Sequence, residues 1–253
     1  MSDEIELVGS RGRLTVRDCL AKLRHFCEHD AYQVYDRAGY HCATEPNELQ
    51  AELLDATNRA MFARSSRAAW SEFLGRTLSE LEATPVDVDL VDSGDDEYAT
   101  ARAALEACYR RLTAVKRITD MAASKMLHLK RPLLVAISDS YVREVLAIPE
   151  PDSAQHPWRV EYCTVRALCV SDAVRAVGLH NVDLLEHLQS AMAETVDRIA
   201  ADLRTPMSLS KARIIDILVW VDAAIASGHK TWKPVADAVG WDSVLVSIRR
   251  PRN

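Results

Sequence analysis

The chain of 253 residues is 48% hydrophobic and carries 31 Lys and Arg against 37 Asp and Glu, a formal net charge of −6. This content can bury one large core or two small ones, and the sequence contains no run of about 18 apolar residues that could cross a membrane. The acidic first segment, MSDEIELVGSRGR, lacks the apolar stretch of a secretory signal, so we expect a cytoplasmic protein.

The cysteines and histidines do not predict a metal site or a cofactor. None of the six cysteines belongs to a C-x-x-C pair, so we expect reduced thiols rather than a zinc or iron–sulfur centre. His25 and His29 are one helical turn apart, but a metal site needs a third ligand and the sequence offers none nearby. We interpret these two histidines as surface residues.

The first half of the chain predicts helices joined by irregular connections. Residues 15–18 resemble a capping box that starts a helix ending near residue 30, and Asn47 caps a second helix that ends near residue 62. Residues 80–97 contain eight acidic side chains and no basic one, which indicates an exposed loop that allows a short strand at 86–91. A further helix starts near residue 95.

Residues 102–143 are the basic part of the chain. They contain nine cationic and three anionic side chains, a local net charge of +6 that leaves −12 on the rest. A surface that faces phosphate groups would have this charge, and so would two solvated helix faces. Within the stretch, helical patterns at 121–129 and 140–148 are separated by Pro132 and a short apolar connector.

The last third of the chain predicts three long helices. They cover residues 157–177, closed by Gly178; 182–203; and 206–227, with Pro206 in the first turn. The last of these is apolar on almost every side, which predicts a central buried helix. Together with the few glycines, these patterns predict an all-α protein.

Residues 115–143 resemble the core of the helix-hairpin-helix DNA glycosylase superfamily. In that family an L-P-G-V-G-x-K/x-T-A phrase is followed, after about fourteen residues, by the catalytic aspartate. Here Ala122, Ala123 and Ser124 occupy the T-A-x positions, and residues 125–138 lead to Asp139. The phrase SKMLHLKRPLLVAISD is also similar to an uncharacterised group of bacterial proteins with an S-K-L-L-x-x-K-R-P-x-L phrase.

The resemblance implies a two-lobed helical fold with a degenerate hairpin. The family's G-V-G corresponds to Arg117-Ile118-Thr119, so both glycines that let the backbone approach phosphate closely are missing. We expect one domain over residues 1–253. Residues 1–30 and 149–253 would form one lobe, and residues 47–148 the lobe that carries the hairpin and Asp139.

The activity implied by the resemblance is that of a monofunctional DNA glycosylase acting on a damaged or modified base, in repair or in defence against modified phage DNA. A carboxylate near C1′ stabilises the positive charge that develops on the sugar, and Asp139 is the candidate. Bifunctional members carry a lysine where this chain has Met121, which cannot form a Schiff base. We therefore expect hydrolysis to an abasic site, without lyase activity or a cofactor.

The expected partner is DNA, bound by a monomer. Tyr141 and Trp158 are candidates for the base pocket, and His128 is interpreted as structural. The sequence leaves alternatives open: Asp139 is also a good helix N-cap, and the chain could be a non-catalytic helical DNA-binding module or a helical interaction domain. The candidate phosphate-binding residues are Arg117, Thr119, Ser124, Lys125, Lys130 and Arg131.

Overall fold

The computed structural model describes residues 3–9, 12–28, 35–37, 46–60, 70–150, 159–201 and 208–241. The fold is mostly helical, as the sequence predicts. Within the described residues no helix is long and apolar enough to cross a membrane. The helices are α1 (Cys19–Cys27), α2 (Ala51–Ala60), α3 (Ser79–Glu82), α4 (Asp95–Thr113), α5 (Asp120–Lys130), α6 (Ser140–Val145), α7 (Arg159–His180), α8 (Val182–Ile199), α9 (Lys211–Ala226) and α10 (Trp232–Val239).

A small antiparallel hairpin precedes the helices and was not predicted. Strand β1 (Glu4–Gly9) pairs with β2 (Gly12–Arg17), and buried Ile5 faces buried Val16 across the pair. The side chain of Asn181 closes the outer edge of β1, because it accepts from Glu6 N at 3.1 Å and donates to Glu6 O at 2.8 Å. The hairpin is therefore attached to the helices by hydrogen bonds to its main chain as well as by apolar packing.

Helix α9 lies at the centre of the fold. Its positions 211–219 and 221–225 are buried, and it contacts α1, α6, α7, α8, α10 and β2. This confirms the central buried helix that the sequence predicts. The helix begins later than expected, because Ser210 caps it by accepting from Arg213 N at 3.1 Å. Pro206 lies outside the described residues.

Several other elements differ from the predictions; for example, α2 begins at Ala51 rather than directly after Asn47. Residues 15–17 belong to β2, so α1 starts only at Cys19. Residues 86–91 form turns and bends rather than a strand. Gly178 does not end its helix, since α7 continues to His180. Glycine is needed there for packing instead: a Cβ on Gly178 would lie 2.3 Å from Val91 Cγ2.

Helix α5, which carries the resemblance, packs against α2, α4 and α7. Helix α6 packs mainly against α9. The connection between α5 and α6 therefore joins a helix packed on α4 to a helix packed on the central α9. The division of the chain into two lobes stays a prediction.

Candidate active site

One residue of the turn between α4 and α5 has a left-handed backbone. Arg117, which the resemblance aligns with a glycine, has φ +77°, in the region that side chains rarely adopt. Thr119 caps α5, because its hydroxyl accepts from Ala122 N at 3.3 Å. Lys116 and Arg117 are both exposed, and neither has an ion pair or hydrogen bond within the described residues.

The segment after α5 turns back along the helix and ends beside its first residue. Ser138 N donates to Ser124 Oγ at 2.9 Å, and Ser138 Oγ donates to Asp120 Oδ2 at 2.6 Å. Because Asp120 is the first residue of α5, these bonds bring Ser138 and the following Asp139 to the end of the helix where the α4–α5 turn lies.

Asp120 is a buried anchor that the sequence reasoning did not identify. It is 0% exposed and receives hydrogen bonds from Arg143 Nη1 at 3.1 Å and from Arg166 Nε at 3.0 Å. Arg166 Nη2 donates to its other oxygen at 2.5 Å. A carboxylate buried between two guanidinium groups is compensated, and it ties α5, α6 and α7 together.

Asp139 is the N-cap of α6, as its position before Ser-Tyr-Val-Arg predicts. Its Oδ1 accepts from Tyr141 N at 2.9 Å, and the side chain is half-buried. Its Oδ2 makes no hydrogen bond within the described residues. The capping bond therefore fixes the orientation of the carboxylate and leaves one oxygen available to a reaction centre.

Two charged side chains share the surroundings of Asp139. Burial lowers the pKa of the half-buried Lys125 amine, and the charges of Asp139 and Asp216 oppose this shift. Burial raises the pKa of Asp216 to about 6; Arg213 opposes that shift and Asp139 adds to it. The sequence reasoning missed Asp216 because it lies in α9, far from the motif.

Arg213 holds Asp216 in place. Its Nε and Nη2 each donate to Asp36 at 2.8 Å, and its Nη1 donates to Asp216 Oδ2. The rings of Phe26 and Tyr35 lie 5.5 Å from the guanidinium carbon. This arginine is thus fixed on all sides, and it fixes Asp216 in turn.

His128 faces the same cluster as a neutral residue. It is 3% exposed, its Nδ1 is 2.7 Å from Val135 O, and burial lowers its pKa to about 4. Its Nε2 is 3.9 Å from Asp36 Oδ1. These contacts agree with the structural role expected from the sequence.

Three of the predicted phosphate contacts are structural residues in this fold. Ser124 is 0% exposed, and Lys130 is 7% exposed with its amine 2.8 Å from Gln50 Oε1. Arg131 is 1% exposed and all five of its N–H groups are used. Its acceptors are the carbonyl oxygens of Pro46, Leu81, Thr84 and Lys130 and the side chain of Asn47. Their burial and pairing do not favour contact with DNA, and their role as phosphate-binding residues stays a prediction.

The charge count along the sequence also overstates the basic surface. Arg102 makes a bidentate pair with Asp172, with both hydrogen bonds at 2.8 Å. Arg110 pairs with Glu161 and with Glu106, the latter at 2.8 Å. Asp172 and Glu161, which lie outside the stretch, thus neutralise two of its arginines. Among its described cations, Lys116 and Arg117 are the ones without a partner.

Aromatic side chains lie next to the charged cluster. Tyr141 is half-buried, its hydroxyl is 3.1 Å from Ser227 Oγ, and its ring meets Trp220 edge to face at 6.2 Å between centroids. Trp220 is also half-buried and follows Asp216 by one turn of α9. Trp158, the other predicted pocket residue, lies outside the described residues.

The metal-ligating residue types are dispersed in the described ranges. His25 packs its ring edge to face against Trp232, with centroids 5.1 Å apart, while His29 lies outside those ranges. Within them, no three His, Cys, Asp or Glu side chains are grouped to hold a metal ion.

A family model described as Family of unknown function (DUF6308) matches residues 23–223, about four-fifths of the chain. The match begins within α1 and ends within α9, so it includes α5, α6 and the cluster around Asp216. No curated protein and no solved structure gives a significant match.

Proposed function

The chain belongs to the DUF6308 family of unknown function, and we propose that it is a monofunctional DNA glycosylase in which Asp139 is the catalytic carboxylate. The observation that carries this proposal is the 2.6 Å hydrogen bond from Ser138 to Asp120, which returns Asp139 to the end of α5 beside the exposed turn. A phosphate anchor and a carboxylate at the same end of one helix suit a reaction on a nucleotide extruded from DNA.

The α4–α5 turn would hold the DNA backbone. Lys116 and Arg117 supply two exposed, unpaired charges in the described part of the chain, and the N-terminus of α5 adds partly positive main-chain N–H groups. With side chains replacing hairpin glycines, the turn would contact phosphate through Arg117 and Thr119 rather than by close main-chain approach. We expect two charged phosphate contacts from this turn, those of Lys116 and Arg117, far fewer than the sequence charge count implied.

The carboxylate of Asp139 would act on the sugar. Its Oδ2 would face the C1′ atom, where cleavage of the N-glycosidic bond builds positive charge, and would orient the attacking water. The water adds its hydroxyl to C1′, the base leaves with the bonding electrons, and a proton returns to the base. Met121 carries no amine at the position of the family's Schiff-base lysine, which supports a hydrolytic reaction.

The extruded base would stack on aromatic side chains. Tyr141 follows Asp139 by two residues, and its ring meets that of Trp220 edge to face at 6.2 Å between centroids. We expect an extruded base to stack on these two rings. The pocket role of Tyr141 therefore stays in the proposal, with Trp220 added to it.

Formation of abasic sites tests the proposal directly. Labelled duplexes that each carry one modified base are incubated with the full chain and then heated in alkali, which breaks the strand at an abasic site. Asp139→Asn should abolish product while the fold remains, because asparagine caps helices about as well as aspartate. Asp183→Asn, at an exposed carboxylate in the first turn of α8, is the matched control and should retain activity.

The non-catalytic alternative has one observation in its favour. Exposed Lys116 and Arg117 would bind DNA whether or not chemistry follows. Salt-sensitive DNA binding that Asp139→Asn leaves intact, together with no product from any modified base, would support a binding module and reject the glycosylase. Trapping of a protein–DNA adduct by borohydride would instead reject the hydrolytic mechanism and implicate an amine such as that of Lys125.

A further inference from the structure

Asp216 presents one buried oxygen without a partner. The residue is 3% exposed and its Oδ2 accepts from Arg213, but Oδ1 has no hydrogen bond in the part of the chain that the structure describes. Buried polar atoms are nearly always paired, so an open acceptor of this kind calls for an explanation such as a bound ligand.

The direction of this oxygen is fixed by its neighbours. Arg213 holds Asp216 from the same helix and is itself held by both oxygens of Asp36, with the rings of Phe26 and Tyr35 against its guanidinium. Turning the carboxylate to satisfy Oδ1 would break its hydrogen bond to Arg213. A rigid acceptor is well suited to recognise a ligand, because it loses little conformational entropy when the ligand binds.

The surroundings of Asp216 carry excess negative charge. His128 adds none, because burial lowers its pKa to about 4. The remaining charged groups are two cations and three anions, which leaves a net charge of −1. These groups are Lys125 from α5, Arg213 from α9, Asp36 from the segment 35–37, Asp139 at the start of α6, and Asp216 itself. Such a site favours an N–H donor and disfavours a carbonyl oxygen.

We propose that Asp216 Oδ1 accepts a hydrogen bond from the exocyclic amine of the extruded base, so that the substrates are modified cytosine-type or adenine-type bases. The inference rests on the proposed glycosylase function and names its substrate class. Burial raises the pKa of Asp216 to about 6, so near neutral pH the group is mostly an ionised acceptor. A base with a carbonyl oxygen in place of the amine would point lone pairs at the carboxylate, and the two acceptors would repel each other.

A comparison of matched substrates tests this assignment with the full chain. Two pairs exchange an exocyclic amine for an oxygen: 5-hydroxymethylcytosine with 5-hydroxymethyluracil, and N6-methyladenine with 6-methoxypurine. The same comparison is made for whichever base in a wider panel is excised fastest. We expect kcat/KM to favour the amine member on the order of 10⁴-fold, since a buried acceptor rejects analogues that lack its donor.

Two variants separate recognition from folding. Asp216→Asn can offer either a donor or an acceptor, so the preference should fall to about tenfold or less. Asp222→Asn removes another buried carboxylate of α9, whose partner is Lys22 at 2.9 Å, and should lower the melting temperature without changing the preference. Should Asp216→Asn fail to fold, the preference of the wild-type chain decides alone.

The possible failures are distinguishable. If the chain excises bases but prefers the amine member less than about tenfold, or prefers the oxygen member, the role of Asp216 is overturned and the glycosylase proposal stays intact. An absence of product from every substrate overturns the glycosylase, and this inference falls with it. A strong amine preference that survives in a folded Asp216→Asn variant shows that another group reads the base.

Discussion

The hydroxyl of Ser138 and the carboxylate of Asp120 are 2.6 Å apart, and their hydrogen bond joins the start of α5 to the residue before Asp139. Eighteen positions of chain separate the two residues. Asp120 is held in turn by Arg143 and Arg166. The position of Asp139 thus depends on a buried polar network rather than on apolar packing alone, and such a network is sensitive to the loss of one member.

Ser138→Ala should therefore weaken both stability and activity. It removes a hydrogen bond to a buried carboxylate, which should lower the free energy of unfolding by about 1–3 kcal/mol. Product formation should fall further than stability explains, because Asp139 loses its anchor. Urea denaturation and single-turnover excision measure the two effects. Ser140→Ala, an exposed serine two residues along, is the control and should change neither; equal effects at both positions would contradict the anchoring role.

Arg117→Gly should separate the strain of the turn from its charge. Glycine adopts φ +77° without the steric cost that arginine carries there, so the variant should gain up to about 1 kcal/mol of stability. It should also bind DNA less tightly, with a salt dependence reduced by about one phosphate contact. Lys116→Gly removes the neighbouring charge without that relief. It should weaken binding similarly and gain no stability, and a gain there would refute the strain argument.

The sequence predicts the long helices well because their apolar periodicity is strong and local. The sequence-based prediction fails where the role of a side chain depends on partners that are distant in the sequence. The charge of Arg102 is neutralised by Asp172, and four of the five donors of Arg131 are used by acceptors from distant segments. Neither partner can be recognised from the local pattern. The capping role of Asp139 was predictable because it depends only on the next two residues.

The hairpin and Asp216 were missed for different reasons. Residues 4–7 alternate polar and apolar, which is a strand signal, but it spans only a few positions near one end of the chain. Asp216 stands in an apolar helix, where an isolated carboxylate signals a buried partner without identifying it. Its partner Arg213 lies three residues earlier in the same helix, but Arg213 also pairs with Asp36, which comes near α9 only in the folded chain.

His128 and Asp216 should oppose each other in the pH dependence of stability. The pKa of His128 is lowered by burial from 6.5 to about 4, so the unfolded chain binds more protons there and stability falls as the pH drops through this window. The pKa of Asp216 is raised from 3.8 to about 6, so stability falls as the pH rises through nearly the same window. Each shift corresponds to about 3 kcal/mol.

Relative to the wild type, His128→Asn should therefore be more stable at pH 4 than at pH 6.5. Asparagine can still donate to Val135 O, so the comparison isolates the charge. Asp216→Asn should show the reverse trend. Urea denaturation of the three proteins at several pH values measures this, and parallel pH profiles would rule out both shifts.

Gly178→Ala tests the close contact between α7 and the segment before α4. A methyl group on Gly178 would lie 2.3 Å from Val91 Cγ2, and Val91 is only 1% exposed, so its branched side chain has little room to move. Overpacking of this kind costs about 1–3 kcal/mol, which should exceed the gain of about 1 kcal/mol from replacing a helical glycine by alanine. Thermal unfolding should show a net loss of stability.

In the double variant with Val91→Ala the two losses should be less than additive, because the smaller side chain makes room for the methyl group. A stability gain in the single variant would mean that the two segments lie further apart.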